Sequence, residues 1–463
     1  MWESLTLASL QQILIDKSKA RVGELARVPR HISEYLLSRF DGDTVKASNF
    51  IRRYCPPQSD SNIILHKIMS ETSLESQPLL LLDEAYVTPL PKIGLYSVKL
   101  TQLDLGTEIY TTSKIVRDNL AILRHGAWGT IALAYDGEGL LTGKKCIVMV
   151  GFKPIETANA DLNILMNARR ELSLDEWINL LLNTCGVNPE VYDSRQKLLY
   201  LTRLLPLIEE NIYLLEFGGR ATGKTYIYRN ISRYTRIFSG GGVSPAVLFY
   251  NAMTKSLGEL VVRDCIVFDE ISRIEFTEPY EMTGKLKDYM ESGMFERSVA
   301  KQIRSGCSIV MQGNIESEYN EWDKLLPKNL AEPALIDRIN GLIPGWEMPK
   351  IMSSETHLSK GLGISVDYFS EILHQMRYIT VSRIIQEKTE LMNKPTIRDE
   401  RSITKLASAI YKLLRPDLEY DREVLEISMD ISVELRNRIR EKLHEMVPEE
   451  FSSKPIEWRF KNG

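Results

Sequence analysis

The sequence predicts an α/β fold: a parallel sheet with helices packed on it, preceded by an α+β region with a small β barrel and followed by a helical stretch. Three observations carry this. Residues 211–350 alternate strand and helix signals, the pattern of a parallel sheet with crossover helices. A glycine-rich turn, Gly218–Thr225, lies between an apolar strand and a helix. Residues 76–155 hold four or five short β-rich segments separated by turn signals, as in a small barrel of OB-like type.

The elements follow in order. In residues 1–155, Leu5–Ile15, His31–Phe40 and Thr44–Tyr54 carry apolar residues at helical spacing, the last stopped by Pro56 and Pro57. Strands are predicted over 93–100, 106–112, 128–135 and 145–152. Residues 156–210 read as a helical linker, with Leu172–Leu182 capped by Ser173 and Glu176, and with a second helix over Lys197–Ile208. In the core, I-Y-L-L-E-F (212–217), C-I-V-F-D-E (265–270) and C-S-I-V-M-Q (307–312) are buried strands, and Tyr226–Tyr234 is the helix after the glycine turn. Residues 351–463 are helical again and form the lid.

Composition excludes several classes. Apolar residues are 43% and charged residues 26% of 463, ordinary globular usage for about three domains. The formal charge is −4, so no general polycationic coat exists. The five cysteines are scattered without a C-x-x-C pair, which disfavours a zinc ribbon or a disulfide framework. No basic signal-peptide start is visible, and no apolar run approaches the ~20 residues that span a bilayer. A cytoplasmic protein without membrane contact is expected.

Gly218–Thr225 reads G-G-R-A-T-G-K-T, a full G-x-x-x-x-G-K-[ST] match. Gly218, Gly219, Arg220, Ala221, Thr222, Gly223 and Tyr226 would line a phosphate cradle of backbone N–H groups, with the next helix adding its positive end. Lys224 would reach the β- and γ-phosphates of ATP, and Thr225 would hold Mg²⁺. Asp269 fits the carboxylate that positions Mg²⁺, and Glu270 the one that polarises attacking water. Asn314 ends a strand and is either a γ-phosphate sensor or a turn residue. Arg338 is either an arginine finger for an adjacent subunit or half of a surface pair with Asp337. Arg398, with Arg401 three residues on, is either a phosphate contact from the lid or part of a solvated helix face. The order of these motifs is that of an AAA+ module.

Longer segments extend the likeness. V-P-R-H-I-S-E-Y-L-L (28–37), H-G-A-W-G-T-I-A-L-A-Y (125–135), F-K-P-I-E (152–156), F-S-G-G-G-V-S-P-A-V-L-F-Y-N (238–251), V-F-D-E-I (267–271), L-K-D-Y-M-E-S-G-M-F (286–295) and D-R-I-N-G-L-I-P-G-W-E-M-P-K (337–350) resemble the BrxL family. These are Lon-like AAA+ proteins of the BREX anti-phage systems. The resemblance implies an ATPase core similar to Lon and to MCM helicases. It also implies hexameric or heptameric rings that can stack as double rings, binding to double-stranded DNA, and other BREX proteins as partners. By that match Lys224 and Thr225 are Walker A, Asp269 and Glu270 Walker B, Asn314 sensor 1, Arg338 the finger and Arg398 the lid arginine. Many members continue into a protease-like domain, whereas this sequence stops at Gly463; no proteolysis is expected.

Charge locates two DNA candidates. Residues 1–155 carry 18 basic and 16 acidic side chains. Lys92, Lys99, Lys114, Arg117, Arg124, Lys144, Lys145 and Lys153 are either a solvated barrel surface or a collar tracking phosphates. Arg297, Lys301 and Arg304 lie in F-E-R-S-V-A-K-Q-I-R (295–304), either a pore hairpin facing DNA or a surface hairpin. No nuclease constellation is visible. A protein-unfolding remodeller would need an exposed aromatic, for which Tyr250 or Phe295 can be argued. An ATP-gated scaffold is the third reading.

Overall fold

The computed structural model describes residues 11–155, 160–253, 256–298, 301–315 and 321–461. The chain divides into two compact units, residues 18–155 and residues 11–17 with 160–461.

In the first unit, helices α1 (Arg30–Arg39), α2 (Thr44–Tyr54) and α3 (Ser61–Glu71) precede strands β1 (Leu79–Leu90), β2 (Leu95–Leu100), β3 (Ile109–Thr111), β4 (Ala127–Asp136) and β5 (Cys146–Pro154). Asp43 caps α2 by accepting from the Val45 and Lys46 amides. The strands close a barrel in the order β1-β2-β3-β5-β4. Only β3 and β5 run parallel. Inward residues such as Val87, Val98, Ile131, Leu133 and Met149 fill it, and Ile64 and Ile68 of α3 pack on the same core. Strand β1 is absent from the sequence reading. Its L-L-L-L-D-E-A-Y-V-T-P-L run breaks alternation with Asp83-Glu84 and Pro89. Asp83 is buried because its carboxylate accepts the Gln102 and Leu103 amides at 2.9 Å each, tying down the chain after β2.

In the second unit, β6 (Tyr213–Gly218), β7 (Thr235–Val243), β8 (Cys265–Phe276), β9 (Ser308–Asn314) and β10 (Gly341–Pro344) form one sheet, ordered β10-β6-β9-β8-β7. Every pairing is parallel. Successive residues serve opposite faces: Leu214, Val267 and Val310 join one core, Leu215, Phe268 and Met311 the other. A sheet buried on both faces needs near-continuous apolar strands, which is what makes these strands legible. Helices α4 (Leu174–Cys185) and α5 (Ser194–Thr202) contribute to the first core, α7 (Pro279–Ser292) to the second; α6 (Lys224–Asn230) follows β6. The Ser173–Glu176 capping box of α4 is formed as predicted. The helix predicted over Lys197–Ile208 is two, Ser194–Thr202 and Leu205–Ile208, with Pro206 in the first turn of the second. The C-terminal stretch is dominated by α8 (Ile397–Leu414), with a Thr396–Asp399 capping box, and α9 (Arg422–Met446).

The helix expected over Leu5–Ile15 is corrected at its end; its residues 5–10 lie outside the described residues. Leu14–Asp16 is a strand, antiparallel to Leu362–Ile364. Ile13, Ile15 and Lys17 are buried in alternation, and the Lys17 ammonium donates to the Ile364 carbonyl at 2.6 Å. Sheet pairing at period two overrides local helical spacing. The helix expected to reach Tyr234 ends at Asn230, because Tyr234 is anchored instead by its hydroxyl, which donates to Glu371 at 2.7 Å. All five cysteines are buried free thiols. No helix among the described residues is long and apolar enough to cross a membrane.

Candidate functional site

The sheet order places a crevice at the carboxyl ends of β6 and β9, where connections diverge to opposite edges; open α/β sheets bind ligands at such a point. A cleft of about 550 Å³ opens there. It is lined by Arg220 through Tyr226, Asp269, Glu270, Arg273 and Asn314. The sequence-predicted loop and the two carboxylates therefore come together.

The loop conformation needs its small residues. Ala221 and Gly223 have φ of +60° and +79°, the left-handed region that L side chains seldom enter. A Cβ on Gly218 would lie 2.2 Å from the Gly345 backbone, so only glycine lets β6 leave the sheet here. The Lys224 ammonium donates to the Gly218 and Gly219 carbonyls at 2.8 and 2.7 Å and to Asn314 Oδ1 at 3.1 Å. Asn314 Nδ2 in turn donates to Glu270 Oε1 at 3.4 Å. One hydrogen-bonded chain thus runs from the loop lysine through the β9 terminus to the β8 carboxylate.

Strand β8 presents its carboxylates through a bulge. Asp269 pairs with Ser239 of β7, and the next pair is Ile274 with Gly241. The residues between loop out, and Glu270 has φ +50°. Such bulges re-aim side chains next to active sites. Arg273 from the same bulge holds Glu270 Oε2 at 2.7 Å, a contact the sequence reading missed. Ser239 donates to Asp269 at 3.4 Å.

A hard cation fits the donors present. Thr225 Oγ1 makes no hydrogen bond among the described residues, and Asp269 offers a carboxylate beside it in the cleft. No group of three or more His, Cys, Asp or Glu side chains able to hold a metal occurs among the described residues. A cation here would need phosphate oxygens and water for its remaining ligands, as Mg²⁺ commonly does.

Behind the loop lies a buried polar brace. Arg203 donates through Nε and Nη2 to Glu216 Oε1 at 2.9 and 2.6 Å, and through Nη1 to the Thr222 carbonyl at 3.0 Å. Gln312 Nε2 donates to the other Glu216 oxygen at 3.1 Å. Burial works against the Arg203 charge, but the Glu216 carboxylate beside it pushes its pKa up. The sequence did carry a signal: Glu216 and Gln312 interrupt apolar strands, and buried polar groups need partners.

Arg338 and Arg398 do not line this cleft. Both meet Glu291 at the end of α7, Arg398 Nη2 at 2.7 Å and Arg338 Nε at 3.4 Å. Arg401 joins them at 3.5 Å. Asp337 pairs with Arg398 and Arg436, at 2.6 and 2.9 Å, instead of with its neighbour Arg338.

Residues 147–457 match the family described as Lon-like protease BrxL-like, ATPase domain. The chain belongs to the BrxL family. Residues 10–135 match the family's N-terminal region, described as BREX system Lon protease-like protein BrxL N-terminal. The chain is 29% identical over 450 residues to the Lon-like protease BrxL of Escherichia coli O9:H4 (strain HS), covering 92% of this chain and 62% of that protein. It is 29% identical over 452 residues to the Lon-like protease BrxL of Bacillus cereus (strain H3081.97), covering 93% and 65%. It therefore spans less than two thirds of either BrxL relative's length.

The DNA candidates divide. Lys92, Lys99, Lys114, Arg117, Arg124, Lys144, Lys145 and Lys153 are all exposed on the barrel unit, and none has an ion-pair partner among the described residues. The predicted hairpin exists, Met294–Ser298 against Lys301–Arg304. The side chains of Arg297 and Lys301 lie outside the described residues. Arg304 stands at the hairpin base opposite Met294, 3.9 Å from Glu210. It therefore stands at the base of the hairpin and not at its tip. Phe295 is buried against Phe249, with ring centroids 5.1 Å apart, so it offers no peptide grip; Tyr250 is half-buried.

Proposed function

We propose that this chain hydrolyses ATP with Mg²⁺ as a ring-forming AAA+ ATPase that encircles or moves along double-stranded DNA in BREX defence. The observation that carries the reading is the hydrogen-bonded chain Lys224–Asn314–Glu270 across three strand ends. It joins a phosphate-binding loop to a water-activating carboxylate through an amide placed to sense what lies between them.

In this reading Lys224 leaves the Gly218 and Gly219 carbonyls for β- and γ-phosphate oxygens, while the loop amides and the start of α6 hold the phosphate chain. Thr225 and Asp269 would hold Mg²⁺, which would supply positive charge against that developing on the phosphates. Glu270 orients the attacking water and accepts its proton. It does so once Arg273 has released it, and Asn314 bridges water and γ-phosphate. Arg338 and Arg398 lie away from their own cleft, which suits delivery to the γ-phosphate of a neighbouring copy in a hexameric or heptameric ring. Such rings could stack in pairs. The C-terminal helices then act as the lid. The exposed barrel cations, repeated around such a ring, supply a phosphate-tracking collar, and the hairpin a second contact. The partners are duplex DNA and other BREX proteins; no proteolysis is assigned to these residues.

ATPase assays with duplex DNA and with an unfolded protein test the reading. Stimulation by DNA alone supports it. Stimulation by unfolded protein alone replaces it with a remodeller.

A further inference from the structure

Glu291 collects the arginines that the proposed mechanism sends to a neighbour. Around it, the ion pairs of Arg338, Arg398, Arg401, Arg436 and Arg440 among the described residues fall on Glu291, Asp337 and Asp399. Five guanidinium groups on three carboxylates leave a local excess of positive charge, which a polyphosphate would neutralise. The pairs differ in how tightly they are built in. Arg436 and Asp399 are 0% and 1% exposed and hydrogen-bonded at 2.8 Å; breaking a buried pair is costly. Glu291 is 36% exposed, Arg398 39% and Arg401 63%, and exposed pairs separate cheaply; Arg338 lies between the two halves, 16% exposed, with its Nη1 also donating to the Ala334 carbonyl. The buried half therefore fixes the framework, and the exposed half can exchange its anion.

We infer that Glu291 is a carboxylate latch that parks Arg338, Arg398 and Arg401 in the unassembled subunit and yields them to the γ-phosphate of ATP on an adjacent copy. This rests on the proposed action of Arg338 across a subunit boundary. Glu291 touches no nucleotide in that scheme; it is a positioning residue. It sits on α7, two residues before Gly293, where the chain turns into the Met294–Arg304 hairpin. The latch makes assembly and ATP binding compete with an internal ion pair, so subunits without neighbours keep their arginines neutralised.

The test is Glu291→Gln in the full chain, an isosteric change at a site more than one third exposed. Two readouts are taken: the protein concentration at which ATP drives assembly, by sedimentation velocity, and the kcat and KM of ATPase at saturating protein. Losing one exposed ion-pair acceptor should lower the assembly concentration and KM by roughly threefold to tenfold, with kcat held or raised. In an Arg338→Ala/Arg398→Ala/Arg401→Ala background the same change should leave the assembly concentration where it was. No shift on the wild-type background, a shift that persists without the three arginines, or a fall in kcat would each overturn the latch. Full turnover by Arg338→Ala alone would instead remove the finger reading. Loss of turnover by Arg338→Ala together with a neutral Glu291→Gln removes the latch and leaves the finger standing.

Discussion

Replacing Arg203 by leucine separates a brace from a bystander. Arg203 is fully buried, gives two hydrogen bonds to Glu216 and one to the Thr222 carbonyl, and lies 4.8 Å over the Tyr200 ring. Leucine leaves the Glu216 carboxylate buried with only Gln312 as a donor. Stranding one partner of a buried pair costs about 3–5 kcal/mol. The freed Thr222 carbonyl should also let the phosphate loop relax and weaken ATP binding. Denaturant unfolding followed by tryptophan fluorescence reads the first effect, and titration calorimetry with ATP the second. Arg203→Leu combined with Glu216→Leu removes both charges and should recover most of the stability, since apolar replacement of a whole buried pair is often neutral. The affinity loss should remain, because the loop still lacks its donor. Arg203→Leu with wild-type stability, or a double variant as unstable as the single one, would refute the brace.

Further outcomes follow from other sites. Burial raises the Asp83 carboxyl to about 6, against the pull of its backbone N–H donors. A raised acid pKa means the folded state binds the proton more readily than the unfolded one. This group therefore contributes stability below about pH 4 that is lost as pH rises through about 6, on the order of 1–3 kcal/mol. The barrel unit's melting temperature should gain more between pH 7 and pH 5 in wild type than in Asp83→Asn; equal gains would contradict it. Lys144→Gln with Lys145→Gln should flatten the salt dependence of duplex binding by about two in log–log slope per subunit engaged. An unchanged slope would take these lysines out of the collar. Asn314→Ala, which cuts the link between Lys224 and Glu270, should lower kcat about 10²-fold or more, the scale of losing one preorganised donor, with ATP still bound. An unchanged kcat would return Asn314 to a turn residue.

The phosphate loop and the Asp-Glu strand were legible because their chemistry is contiguous. Eight residues fix the loop, and two adjacent carboxylates end an apolar strand. The central strands were legible because a doubly covered sheet demands unbroken apolar runs. What stayed hidden depends on partners distant in sequence. Arg203 is unremarkable until Glu216 and Gln312 appear on neighbouring strands. Glu291 looks like an acid at the end of an amphipathic helix until Arg338 and Arg398 converge on it from 47 and 107 positions away. Arg273 acts in the cleft only because a bulge turns it inward, and nothing local in I-S-R-I announces that bulge. Strand β1 was lost to its own charged middle, and Leu14–Asp16 to a partner strand near residue 363. Asp337 and Arg338 look like a pair in sequence, yet the structure sends them to different partners.

In the proposed mechanism Glu270 activates water on a nucleotide held by Lys224 and Thr225. Glu270→Gln keeps the side chain's shape and its contact with Asn314 but removes the proton acceptor. Single-turnover hydrolysis of radiolabelled ATP, run beside ATP binding, tests this most directly. ATP affinity should stay within about threefold of wild type while hydrolysis falls by about 10²-fold or more. Full turnover in Glu270→Gln would contradict this mechanism.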